Sequence, residues 1–200
     1  MNREEWLSAC IQKLRAEFEH LGHPLPDKIR ASCSWPSKSG LAAKNRRIGE
    51  AWSSKNSADQ SCEVFISPVL KDPIEVSATL VHELVHCAVG VEEGHKGQFP
   101  RLAKALGLEG KMTATHASKE LAAHLQQLTE AIGPYPHAEL THSNAPKKQG
   151  CRLLKVVCEC GCVVRMTRKW LDEVGPPTCG CGGAMVEEEA EEEEGDGDDE

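Results

Sequence analysis

Three histidines and one glutamate lie close together near the middle of the chain. The stretch HELVH places His82 and His86 four residues apart with Glu83 between them, and His95 follows nine residues later. Residues four apart share one face of an α-helix, so the two imidazoles can reach one metal ion. Glu83 lies about 100° further around the helix, where it can contact a water on the metal without binding the ion.

This spacing predicts hydrolysis by a metal-activated water. A zinc ion with three protein ligands keeps a fourth position for water and lowers the pKa of that water towards neutrality. Glu83 is the predicted general base, which takes the proton and later passes it to the leaving amine. The preferred third ligand is His95, which Gly94 and Gly97 flank, and the alternative is Glu120 on a later helix. His116 and His137 are weaker candidates for contact with the site.

The elements that must position these residues read as a mixture of helices and short strands. The HELVH helix has Asp72 as its predicted N-cap, Pro73 at its first position and Gly90 at its end. Apolar spacing predicts further helices near residues 4–22, 97–108 and 118–133, and short strands within 27–35, 46–52 and 61–70. The predicted fold class is therefore α+β, with helices packed on a small sheet.

A second candidate metal site lies near the end of the chain, where five of the ten cysteines fall between residues 158 and 181. The stretches CECGC and CGCGG are two cysteine-glycine turns, and four thiolates from two such turns make a closed tetrahedral zinc site. The favoured ligands are Cys158, Cys160, Cys179 and Cys181, with Cys162 as the alternative. The C-x-C spacing leaves this choice open, and free thiols or redox pairs are the other interpretation.

Basic residues lie between the two cysteine turns. The stretch RMTRKW places Arg165, Arg168, Lys169 and Trp170 on the predicted hairpin arm. Cations beside an exposed aromatic ring suit phosphate contact and base stacking, so these residues are candidates for nucleic-acid binding. A solvated hairpin with a packed tryptophan is the alternative. The basic stretch KNRR, residues 44–47, could extend such a surface.

Charge is unevenly distributed along the chain. The formal net charge is -8, yet residues 187–200 carry 11 acidic and no basic residues, which predicts a disordered acidic tail. No segment approaches the roughly 18 consecutive apolar residues of a membrane span, and the N-terminal stretch does not resemble a signal peptide. We therefore expect a cytoplasmic protein with no membrane partner. The predicted organisation is a metallopeptidase domain over 1–133, a linker over 134–150, a zinc ribbon over 151–186 and the tail.

These motifs together resemble the SprT-like zinc metallopeptidases of bacteria and phages. The resemblance covers residues 62–185 and rests on VFISP, HELVH, GHKGQF and the cysteine ribbon with VRMTRKW. It implies a zincin-type α+β domain in which His82, His86 and His95 bind the catalytic zinc and Glu83 is catalytic. The eukaryotic relative Spartan is a DNA-dependent protease acting on DNA–protein crosslinks, which fits a basic surface beside the ribbon, but the substrate does not transfer across so wide a family. The C-x-C turn and the acidic tail depart from the family pattern, and Val89 and Glu92 exclude the metzincin spacing.

The sequence thus predicts a zinc-dependent endopeptidase with one catalytic and one structural Zn²⁺, a protein substrate and DNA as a further candidate partner. The alternative is a catalytically silent nucleic-acid-binding or transcription-associated protein on a retained peptidase core. A hydrolase acting on a non-protein amide would use the same residues. The residues leave open the identity of the substrate, activation by DNA and the oligomeric state.

Overall fold

The computed structural model describes residues 1–42, 44–141 and 153–188 of the 200-residue chain. The chain divides into two units, Met1–Ala145 and Pro146–Glu200. The described residues form five α-helices and three small sheets, so the predicted mixed α+β class is confirmed. Most of the predicted acidic tail and the second half of the predicted linker lie outside the described residues.

Helix α2 (Pro73–Val89) carries two of the candidate ligands and begins and ends where the sequence predicts. The Asp72 carboxylate accepts hydrogen bonds from the backbone N–H groups of Ile74 and Glu75, both at 2.9 Å. At the other end Gly90 has a φ of 102°, a conformation that few residues other than glycine adopt. Local capping residues therefore fix the limits of this helix.

A three-stranded sheet packs against α2. Its strands are β1 (Ile29–Cys33), β2 (Gly49–Trp52) and β3 (Cys62–Ile66), in the order β1-β3-β2. Strand β1 runs parallel to β3, whereas β2 runs antiparallel to it. Helix α2 contacts both β2 and β3, so the edge strand β2 lies beside the helix that carries HELVH.

Three further helices surround α2 and were all predicted. They are α1 (Arg3–His20), α3 (Phe99–Ala105) and α4 (Lys119–Ile132), and α2 contacts each of them. Their apolar faces meet in one core, whose largest fully buried side chains include Trp6, Phe18, Leu84, Phe99 and Leu125. Burying such side chains stabilises the fold by about 1.5–3 kcal/mol each. The candidate site is thus built on a rigid central helix.

A short hairpin after α3 was not predicted from the sequence. It consists of β4 (Leu108–Lys111) and β5 (Ala114–Ala117), with Leu108 opposite Ala117 and Lys111 opposite Ala114. Its two short strands contain few apolar residues, which leaves only a weak strand signal. Strand β5 contacts α2, so it brings its side chains to the helix that carries the candidate ligands.

The second unit is an antiparallel sheet with one helix. Strands β6 (Leu153–Cys158), β7 (Val163–Thr167) and β8 (Met185–Glu187) take the order β7-β6-β8, and β6–β7 is the predicted hairpin. The prediction that Arg168, Lys169 and Trp170 extend the hairpin arm is wrong, because they begin helix α5 (Arg168–Val174). The Thr167 hydroxyl accepts the backbone N–H of Trp170 at 3.4 Å, so a threonine cap ends the strand and starts the helix.

Among the described residues, no helix combines the length and the apolar composition that crossing a membrane requires.

Candidate metal centres

The structure brings the three predicted histidines together. One ligand nitrogen from each of His82, His86 and His95 lies within 4.8 Å of the other two. His82 and His86 lie one turn apart on α2, and His95 lies in the turn that follows it. Gly94 and Gly97 have φ values of 57° and 59°, so the chain reverses on both sides of His95. The alternative ligand, Glu120, is exposed on α4 and is not part of this group.

The distance between His82 and His95 fits a tetrahedral zinc site. His82 Nε2 lies 3.2 Å from His95 Nε2. Two nitrogens that each bind zinc at about 2.0–2.1 Å in tetrahedral geometry are about 3.3 Å apart. The spacing of His82 and His95 therefore fits zinc, and a nitrogen of His86 lies within 4.8 Å of both.

Burial keeps these imidazoles in the neutral form that binds metals. It lowers the pKa of His82 to about 4 and that of His86 to about 3, and the neighbouring imidazoles add to both effects. Burial and the Arg47 charge also lower the pKa of His95. Phe99 lies among the three rings, with centroid distances of 5.0, 4.4 and 4.9 Å, so it limits their rotation and excludes water. The group is neutral and preorganised at physiological pH.

Glu83 lies at the interface of α2 and β2, outside the ligand group. Its side chain is only 6% exposed, and burial together with the Glu50 charge raises its pKa to about 8. The Arg47 charge and the Ala51 backbone N–H oppose this rise. A cation bound nearby would lower this raised pKa towards neutrality. A carboxylate in this environment suits proton transfer at neutral pH.

Sequence reasoning missed the polar network beside Glu83. Glu50 on β2 is 8% exposed and accepts hydrogen bonds from the Ser37 backbone N–H at 2.7 Å and the Ser37 hydroxyl at 2.6 Å. Arg47 Nη1 lies 3.0 Å from the same carboxylate. The basic stretch KNRR was expected to extend a nucleic-acid surface, but its last residue instead pairs with Glu50 beside the histidine centre. Only the folded chain brings residues 37, 47 and 50 to this position.

Sequence reasoning also missed Thr115, whose hydroxyl lies 2.8 Å from His82 Nδ1. The neighbouring His116, which the sequence made a weak candidate, is exposed and lies 3.9 Å from Glu109. His137 lies instead at the Pro68 carbonyl, at 2.9 Å, and near Arg3. Thr115 reaches His82 and His116 does not, because adjacent residues of strand β5 face opposite sides.

The favoured cysteines form a second group in the second unit. One sulfur from each of Cys158, Cys160, Cys179 and Cys181 lies within 4.8 Å of the others. The distances from Cys158 Sγ to Cys181 Sγ and from Cys160 Sγ to Cys179 Sγ are both 3.5 Å. Four sulfurs that each bind zinc at about 2.3 Å are about 3.8 Å apart in a tetrahedron. Cys162 is exposed and is not one of the four.

Backbone N–H groups lie beside two of these sulfurs. The Cys162 backbone N–H donates to Cys160 and lowers the pKa of that thiol. The Gly183 backbone N–H lies 3.4 Å from Cys181 Sγ. A side chain at Gly183 would lie 2.9 Å from Cys158 Sγ, so a glycine is required for this close approach. Both groups of residues are thus compatible with zinc, the histidines with an open site and the cysteines with a closed one.

Comparison with known proteins leaves the family open. No family model matches the chain, and neither a curated protein nor a solved structure matches it. The resemblance to the SprT-like peptidases therefore rests on the motifs and stays a prediction.

The four residues predicted to bind nucleic acid have different surroundings. Arg168 pairs with Glu187 through Nη1 and Nη2 of its guanidinium and lies 3.8 Å from Asp172. Trp170 is 52% exposed, and Lys169 Nζ lies 5.0 Å from the centre of its ring. Arg165 is exposed on β7. The exposed ring with its cation thus remains accessible to a ligand, whereas Arg168 is already paired within the chain.

Proposed function

We propose that this chain is a zinc-dependent endopeptidase with a zincin-type, SprT-like first unit. The observation that carries the proposal is the arrangement of the histidine centre. Three neutral imidazoles converge on one point, and the buried Glu83 carboxylate belongs to the same helix but not to the ligand group. This separation of ligands from base is what hydrolysis by an activated water needs.

The chain's own residues divide the work in this proposal. His82, His86 and His95 would hold the zinc, which when bound lowers the pKa of a water and polarises the substrate carbonyl. The Glu83 carboxylate would take one proton and deliver it to the nitrogen of the leaving amine. Phe99 would keep the three rings in place and limit water around them. Cys158, Cys160, Cys179 and Cys181 would hold a second zinc that stabilises the fold of the second unit.

The test is the variant Glu83→Gln, with metal content and cleavage of casein or histone measured together. We expect two zinc ions per chain, as in the wild type, and a fall in cleavage of at least about 10²-fold, because the proton carrier is lost. Glu75→Gln is the matched control, since Glu75 is an exposed glutamate on the same helix. His82→Ala should lower the zinc content from two ions to one.

Two results would contradict the proposal. Undiminished cleavage by Glu83→Gln would show that Glu83 is not the general base. A wild-type chain with a single zinc ion that persists in His82→Ala would show that the histidines hold no metal.

A second candidate function, nucleic-acid contact by the second unit, is favoured by the exposed Trp170 ring beside Lys169. Such a ring can stack on a base while the cations neutralise phosphates. We expect binding of single-stranded DNA that weakens as salt rises and is lost in the combined variant Arg165→Ala and Trp170→Ala. Binding of equal strength in that variant would exclude this surface. Assaying cleavage with and without the DNA shows whether the two functions are linked.

A further inference from the structure

Thr115 on strand β5 lies within hydrogen-bond distance of a candidate ligand. Its Oγ1 lies 2.8 Å from His82 Nδ1, while His82 Nε2 faces His95 Nε2 at 3.2 Å. The two nitrogens of one imidazole thus have separate partners. Nδ1 meets a hydroxyl, and Nε2 meets the ligand group.

We propose that Thr115 is a positioning residue for the metal centre. The Thr115 hydroxyl accepts a hydrogen bond from the Nδ1–H of His82. A neutral imidazole carries one proton, so placing it on Nδ1 leaves the lone pair on Nε2, where the other ligands converge. Outer partners of this kind fix the tautomer and orientation of a ligating histidine. The inference rests on the metal site of the proposed function but not on its peptidase activity.

The fold holds the Thr115 hydroxyl in place. Thr115 and Ala117 are half-buried towards α2, whereas Ala114 and His116 are exposed. The base of the hairpin is fixed by the buried Leu108 and by the bond from the Ser118 backbone N–H to the Gly107 carbonyl, at 2.8 Å. Threonine is branched at Cβ and has few favourable rotamers. The hydroxyl is therefore presented to His82 by a constrained side chain.

The contrast with His86 shows what Thr115 adds. His86 Nδ1 is buried without a hydrogen-bond partner among the described residues, so the surrounding protein does not fix its tautomer. In the proposal, the tautomer of His82 is fixed by the Thr115 hydroxyl. This hydroxyl belongs to the hairpin, which only the tertiary fold brings to the helix. Losing the Thr115 hydroxyl should therefore weaken metal binding at the histidines while leaving the cysteine centre unchanged.

The experiment compares Thr115→Val, which removes the hydroxyl but keeps the shape, with Thr115→Ser, which keeps the hydroxyl. Zinc affinity is measured by competition with a chelator, and the cysteine centre serves as an internal reference. Removal of an outer partner weakens metal binding by about 10–100-fold, which is the fall expected for Thr115→Val. Thr115→Ser should bind nearly as the wild type does. Thr113→Val is the matched control, because Thr113 is exposed in the turn of the same hairpin.

A second readout does not depend on metal. In the zinc-free protein, the ¹⁵N shifts of the His82 ring show which nitrogen carries the proton. We expect the proton on Nδ1 in the wild type and in Thr115→Ser, and a mixture of tautomers in Thr115→Val. Thr115→Ala gives the same comparison should the valine variant not fold.

Unchanged zinc affinity in Thr115→Val would overturn the inference, as would an equal loss in Thr115→Ser, because packing rather than the hydroxyl would then be responsible. In both cases the wild type still binds zinc at the histidines, so the proposed function stands. A wild-type histidine centre that binds no zinc would instead overturn both.

Discussion

Gly49 on the edge strand β2 leaves no room for a side chain beside Glu83. A methyl group at this position would lie 2.9 Å from Glu83 Cδ, closer still to Glu83 Oε1, and 2.8 Å from Thr79 Cγ2. Carbon atoms in contact are normally about 3.5–4.0 Å apart. Thr79 is a β-branched residue held in the helix, so it cannot readily move aside. In Gly49→Ala the Glu83 carboxylate must therefore retreat by roughly 1 Å, given normal contact distances.

This displacement should affect catalysis far more than metal binding. A shift of about 1 Å in a catalytic group costs about 10²-fold in rate, so we expect kcat/KM for casein to fall by that factor. The three atoms nearest to the added methyl belong to Glu83 and Thr79 and not to a ligand histidine, so two zinc ions should remain bound. Overpacking a buried site costs about 1–3 kcal/mol, so the melting temperature should fall while the protein stays folded.

Two controls separate this effect from general damage. Gly180→Ala introduces the same methyl where no atom outside the neighbouring Cys179 and Cys181 lies within 4 Å, so cleavage and the content of two zinc ions should both be unchanged. The double variant Gly49→Ala with Glu83→Gln should be no less active than Glu83→Gln alone, because both changes remove the same function. Full cleavage by Gly49→Ala with both zinc ions bound would refute the placement of Glu83 as a base positioned by β2.

Two further predictions concern carboxylates outside the ligand groups. Burial alone would raise the pKa of Glu50, but the hydrogen bonds from Ser37 and the Arg47 charge hold it below its ordinary value. Its contribution to stability is therefore present above the unfolded pKa of about 4.3 and is lost as pH falls through the lower folded pKa. The melting temperature of Glu50→Gln should lie below that of the wild type at pH 7, and the gap should close in acid. A constant gap would contradict this. Glu187→Gln should free Arg168 and strengthen binding of single-stranded DNA, measured by fluorescence anisotropy, whereas unchanged or weaker binding would show that Arg168 makes no such contact.

The elements that the sequence predicts well are those with local signals. The ends of α2 are marked by Asp72 and Pro73 on one side and Gly90 on the other, next to the apolar pattern of the helix. Predicting these ends therefore needs no knowledge of tertiary contacts. The spacing of His82 and His86 likewise follows from the helix alone. His95 was harder, but the two flanking glycines supplied a local reason for a turn at that point.

What the sequence did not predict depends on long-range contacts. Thr115 reaches His82 across 33 residues, through a hairpin with little apolar character. Gly49 and Glu83 meet only because β2 pairs antiparallel with β3 and packs on α2. Helix α5 was missed for a different reason, since the start of RKWLDEV also suits a strand and only the Thr167 cap decides between them.

The surroundings of Glu50 and Glu83 assign different roles to two buried carboxylates at one site. Glu50 receives two hydrogen bonds from Ser37 and pairs with Arg47, so its pKa is lowered despite its burial. Glu83 is as deeply buried, but only the Arg47 charge and one N–H from Ala51 offset the effect of burial. The pKa of Glu83 is therefore raised. Carboxylates whose environments separate their pKa values commonly divide into a fixed anion and a proton carrier. Glu50 is thus suited to be a fixed charge that holds Arg47, and Glu83 is the carboxylate suited to carry the proton in the proposed function.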